Sequence, residues 1–216
     1  MNKAVRLTAS LLGISAGIAG FEHGYFEVLQ GRARPEGLFI FSMGPPCQPD
    51  LIWSSCEPAL TIIPDFFVTG ILAIIFGILT VVWSVFFVQR KHGGLILILL
   101  SIALLLFGGG LFPPIIGAIA GLAGTRINKP LTWWRDHAGS LFSRLLAKFY
   151  PWALIAYLVM VLGQWFVGYF FNDFLMSVMS INVLLFMSFL VLAVFSSFAH
   201  DARIRAGSAR SRAQNP

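Results

Sequence analysis

Apolar residues in this chain come in long runs separated by short polar stretches, at residues 4–24, 64–88, 94–124, 152–171 and 174–199. A helix rises about 1.5 Å per residue, so about 20 residues cross a bilayer core of about 30 Å, and four of the runs suit that length. The run 94–124 does not. As one helix it would be about 46 Å long, and Gly108-Gly109-Gly110 followed by Pro113-Pro114 interrupts its middle. It reads as a broken or re-entrant helical hairpin, either two short tilted spans or a pair turning at mid-depth. Either way the turn must be buried in protein or line a wet cavity, because unpaired backbone is not tolerated against lipid. The pattern therefore predicts an all-α polytopic transmembrane bundle, four full spans plus the hairpin, six apolar segments in a single domain over residues 1–200.

The polar stretches refine this picture. Residues 25–60 form a long loop rich in Pro and Gly, whose apolar stretch 38–41 is too short to cross; Phe39, Phe41 and Trp53 are expected to dip into the interface or fold over the bundle. Pro64 is expected in the first turn of the second span, where its missing N–H costs nothing. Residues 131–150 mix Trp133, Trp134, Leu141 and Phe142 with Arg135, Arg144 and Lys148, which suits a cytoplasmic interfacial helix or a connecting helix on the bundle floor. Asn172-Asp173 make the next turn, and residues 201–216 read as a basic flexible tail.

Composition excludes a water-facing domain: 57% of the chain is hydrophobic and 11% charged. The net charge of +6 comes from cations grouped at the ends of apolar runs, with no long basic patch for nucleic acid. If the hairpin doubles back, all fifteen lysines and arginines except Arg32 and Arg34 fall in one compartment; if it crosses once, most fall outside. The positive-inside rule favours the first arrangement, with both termini cytoplasmic and residues 25–60 extracytoplasmic, in a cell (inner) membrane. Cys47 and Cys56 lie in that loop and are expected to pair as a disulfide.

The first run has the basic start of a secretory signal, but Ser10, Gly13, Gly17, Gly20 and Gly24 recur every three or four residues and the stripe continues to Glu27. Small residues at that spacing let helix backbones approach, which a permanent span needs. Gly117 and Gly121 make a second such face, and both faces serve either internal packing or a partner subunit. No internal repeat is evident.

Candidate chemistry concentrates at the outer end of the first span. Glu22, His23 and Glu27, with Asp65 at the start of the second span, are candidates for a proton, cation or ligand site; His23 and Glu27 are four apart and share a helix face. Other acids of the same region include Glu36, Asp50 and Glu57. His92, Asp136-His137 and His200-Asp201 sit beside cations at the opposite end, as a lipid-phosphate enzyme would arrange them and as solvated span ends also do. No recognised catalytic motif or metal-ligand spacing occurs, no lysine lies within a span to hold retinal, and the histidines are not placed for a bis-histidine haem. No cofactor or metal is expected. The leading expectation is a protein without its own catalytic centre, an accessory or structural subunit or a binding protein for a lipid or apolar ligand. Its expected partners are anionic headgroups and a membrane protein or second copy, not nucleic acid. The alternative is a small transporter or channel using the acidic cluster; the third is an enzyme acting on lipid headgroups.

Overall fold

Helices form where the apolar runs lie, because peptide groups removed from water must close their hydrogen bonds within their own segment. The structure, a computed structural model, describes residues 1–41 and 57–214, with side chains to residue 208. Among these residues the order is α1 (Lys3–Leu29), β1 (Phe39–Phe41), β2 (Pro58–Leu60), α2 (Phe66–Phe86), α3 (Gly93–Leu106), α4 (Phe112–Gly124), α5 (Thr132–Asp136), α6 (Leu141–Phe170), α7 (Asn172–Ser177) and α8 (Met179–Gln214). Four helices are long and apolar enough to cross a membrane: α1, α2, α6 and the Met179–Ser208 part of α8. The outer faces of the bundle are apolar, with Ile75, Leu99, Leu122, Leu162, Phe166 and Leu184 exposed. Water would drive such a surface to associate, whereas lipid solvates it, so the molecule is compatible with a multi-pass membrane protein.

Glycine sets the packing among α1, α2, α3 and α4. A Cβ on Gly17 would lie 2.6 Å from the carbonyl oxygen of Gly77, and one on Gly24 would lie 2.6 Å from that of Gly70. Since real Cβ atoms never come that close, α1 and α2 touch backbone to backbone at two levels. Gly13 faces Ser84 of α2 and Gly20 faces Leu104 of α3. Between α3 and α4, Gly94 and Gly121 abut each other and Gly117 sits over Ser101. Without a hydrophobic force between helices in lipid, this close approach supplies the dispersion contact that holds them together.

The hairpin α3–α4 runs beside α1 for nearly its whole length. Its tip, Gly108 to Gly110, lies against Glu27 and His23, and beyond its far end Ile127 O accepts the Asn2 backbone N–H at 2.7 Å. The bundle thus has a terminal end, with Asn2 and residues 87–92 and 125–140, and a loop end, with the ribbon and the hairpin tip. At the loop end β1 and β2 pair antiparallel, Phe39 opposite Leu60 and Phe41 opposite Pro58. The chain after β2 continues over the tip: Gly108 N–H donates to Leu60 O at 2.9 Å and Ile62 N–H to Leu106 O at 3.0 Å.

Several boundaries differ from the sequence expectation, each for a local reason. Helix α2 starts at Phe66, not Pro64, because the Asp65 carboxylate accepts Val68 N–H at 3.0 Å and caps it. The expected interfacial helix over 131–150 is two pieces. Short α5 ends at Asp136, and Ser140 caps a new helix, accepting Ser143 N–H at 3.2 Å, that runs through Pro151 to Phe170. The last apolar run contains α7, a break at Val178 and then α8. Helix α8 does not stop at the end of that run but carries the arginine-bearing residues through Gln214. Stretch 38–41 pairs in the ribbon, with Ile40 buried and Phe39 and Phe41 exposed. Trp53 and the Cys47–Cys56 pairing lie outside the described residues.

Candidate functional site

The loop-end half of α1 carries the site because it continues as helix past Gly24, which sets Glu27 one turn beyond the adjacent Glu22 and His23. His23 and Glu27 are both buried, at 2% and 0% exposure. Their side chains do not meet each other. His23 Nε2 stands 2.9 Å from Glu57 Oε2, an acid brought in by the end of the loop just before β2. Glu27 turns toward the hairpin tip, and neither carboxylate oxygen has a hydrogen-bond partner among the described residues.

The hairpin tip is shaped for these two side chains. Gly108 has φ +84° and Gly110 φ +80°, the left-handed region that only glycine enters cheaply. A Cβ on Gly108 would collide with the Glu27 carboxyl group, and one on Gly110 would lie 2.6 Å from His23 Nε2. On the other side of Glu27, Gly70 of α2 leaves room for its Cβ. The glycines therefore serve twice, turning the chain and making space for an acid and an imidazole.

Beside this cluster is a cavity of about 330 Å³ lined by α1, α4, α6, α7 and α8 and by the start of β2. Its apolar wall includes Phe112, Ile116, Val161, Met179, Val183 and Phe186, and its polar end is Glu22, His23 and Glu57. Gln164 also lines it, with its Oε1 accepting from Asn182 Nδ2 at 3.4 Å, as does Ser15, whose hydroxyl shares a 2.5 Å hydrogen bond with Tyr157. Glu22 Oε1 is buried and lacks a hydrogen-bond partner among the described residues. Beside the cavity α6 and α8 meet through the Tyr157–Phe186 ring pair, with centres 5.5 Å apart, whereas toward the terminal end they meet through Ala147 and Ala199.

Of the acidic candidates, Glu22 and His23 line the cavity, Glu27 sits one turn beyond, and Asp65 stands apart as the cap of α2. Glu57 is the residue that sequence reasoning did not single out; it is one acid among several in the loop, and only the fold brings it to His23. Among the described residues no group of three or more His, Cys, Asp or Glu is arranged to hold a metal ion. The glycines Gly13, Gly17, Gly20, Gly24, Gly117 and Gly121 all face other parts of this chain.

At the terminal end the remaining candidates scatter. His92 is exposed at the turn before α3, with φ +64°. His137 stacks on Trp133 with ring centres 4.5 Å apart. His200 Nδ1 lies 3.1 Å from Ala147 O, and Asp201 Oδ2 accepts Val5 N–H at 2.9 Å. Comparison of the chain with protein-family models, curated proteins and solved structures finds no match.

Proposed function

We propose that the protein is a multi-pass membrane binding protein for a small amphiphile, seated with its apolar part among α4, α6 and α8 and its head at Glu22, His23 and Glu57. The cavity carries this reading: it is mostly apolar, lined by five helices, and ends in two carboxylates and an imidazole. That arrangement suits a head that donates hydrogen bonds or carries positive charge, such as an amine. The inward use of the glycine faces favours ligand binding over an accessory-subunit role, since those faces are already occupied. The orientation that fits is both termini in the cytoplasm and the cavity near the outer leaflet.

The test fills the cavity. Ala19, which lines it, is replaced by Phe, and the purified protein is compared with the parent by native mass spectrometry in mild detergent. The parent should retain a small amphiphile that Ala19→Phe loses while its thermal unfolding stays within a few degrees. The same bound species on both proteins, or none on either, overturns the reading.

A second reading, a proton or cation transporter, is favoured by one observation: Glu27 is fully enclosed without a hydrogen-bond partner beside a glycine turn. A buried carboxylate in that condition needs a proton or a cation to be stable. In proteoliposomes Glu27→Gln should then abolish a proton or cation flux; a flux of unchanged size would dismiss this reading.

A further inference from the structure

Helices α6 and α8 lie side by side at the terminal end, and between them is a pocket of about 540 Å³ lined by Arg144, Ala147, Lys148, His200, Arg203 and Ile204. Arg144 and Lys148 are one turn apart on α6, and His200 and Arg203 are one turn apart on α8, so each pair shares a face and the two faces converge. Among the described residues no carboxylate lines the pocket. The nearest acid in sequence, Asp201, is 5% exposed and accepts Val5 N–H at the first turn of α1. Asp136 is exposed and lies 3.7 Å from Arg135.

Two of the four basic side chains are fixed by the fold. Pro151 has no N–H, so the carbonyl of Ala147, four residues before it, lacks its helical donor; His200 Nδ1 at 3.1 Å supplies one. This sets the ring, which also packs against Tyr150 with centres 4.9 Å apart, and leaves Nε2 for another partner. Arg203 Nη1 donates to Ala138 O at 3.4 Å, and the rest of its guanidinium donors are not taken up among the described residues.

Gathering like charges into one concavity is unfavourable unless an anion occupies it. The positive-inside rule alone asks only that cations sit on one side, and Arg90, Lys91, Arg126 and Lys129 meet it outside this pocket; Arg144 and Lys148 are exposed like them, but the fold sets them opposite His200 and Arg203 of a second helix. We infer that this pocket binds a phosphoryl group, most simply that of an anionic phospholipid head, with Arg144 and Arg203 as the forked donors and Lys148 and His200 completing the shell. Planar guanidinium groups match phosphate oxygens bidentately, and basic pockets between helices at this depth are where anionic heads are held. The inference is independent of the amphiphile cavity, which lies at the other end of the bundle.

The experiment uses the full chain. In mild detergent, phosphatidylglycerol, phosphatidylcholine and water-soluble glycerol phosphate are each titrated, with occupancy read by native mass spectrometry. The variants are Arg144→Gln with Arg203→Gln, Lys148→Gln alone, and a control, Arg90→Gln with Arg205→Gln, that removes the same charge elsewhere. The expected result is preference for phosphatidylglycerol over phosphatidylcholine, weakened about tenfold or more in the pocket double variant and retained in the control. Competition by glycerol phosphate would assign the site to a soluble phosphate ester, and its absence to the lipid. Equal losses in the pocket variants and the control, or no preference for any phosphate ligand, would overturn the inference. Lys148→Gln keeps the outcome decisive if the double variant unfolds.

Discussion

Pro151 and His200 show how a single backbone group can decide which side chains a membrane helix keeps. Proline inside α6 leaves Ala147 O without its helical donor, and an imidazole on α8 takes that place. Leaving a buried carbonyl unpaired costs about 1 to 3 kcal/mol. His200→Ala should therefore lower stability by about 1 kcal/mol or more in the native background. In a Pro151→Ala background, where residue 151 regains its N–H, the same change should cost much less; chemical unfolding of the four proteins measures the difference, and equal costs would dismiss the pairing. Asp201 acts in a comparable way on α1, whose own Asn2 makes no side-chain cap: its carboxylate satisfies Val5 N–H at the positive end of the helix dipole. Neither role was legible in the sequence. His200-Asp201 reads there as a solvated span end, because the partners lie 53 and 196 positions away. The His23–Glu57 pairing was hidden for the same reason, while the burial of Glu27 was legible in its place at the end of the glycine stripe.

At the scale of elements, the stripe on α1 was legible as a packing face, but its partner was not. Gly17 and Gly24 meet Gly77 and Gly70, pairs that are each two turns apart and run in opposite directions, so the antiparallel register of α1 and α2 is set by matched spacing. Gly17→Ala should force the backbones apart and cost about 1 to 3 kcal/mol. Gly163 on α6 faces open space, and Gly163→Ala should be neutral or gain about 0.5 to 1 kcal/mol from helix propensity. Thermal unfolding in detergent separates the two cases; equal loss at both positions would mean that helix propensity, not contact, explains the stripe. The broken hairpin was foreseen from Gly108-Gly109-Gly110 and its length, since those signals are local. The division of residues 131–150 was not, because aromatic and basic composition says which surface a segment prefers but not where a serine cap restarts a helix. The continuation of α6 through Pro151 needed the donor on α8, which no local pattern records.

For the whole molecule, α1 to α4 meet through glycine, while α6 and α8 meet through Ala147 and Ala199 at the terminal end and through the Tyr157–Phe186 ring pair beside the cavity. The orientation proposed for them makes a direct prediction. With the two native cysteines replaced, Glu36→Cys in intact cells should react with a membrane-impermeant maleimide, and Asn128→Cys should react only after permeabilisation; labelling of both from one side would reverse every assignment of inner and outer face. The number of long apolar runs was readable because it depends on composition alone, whereas the meeting of α1, α4, α6 and α8 around one cavity depends on contacts spread over most of the chain. The stitching of the ribbon to the hairpin tip, through Gly108 N–H to Leu60 O and Ile62 N–H to Leu106 O, has a mechanical result. These bonds tie the glycine turn that abuts Glu27 and His23 to the chain that leaves Glu57, so the surroundings of both buried side chains belong to one hydrogen-bonded unit.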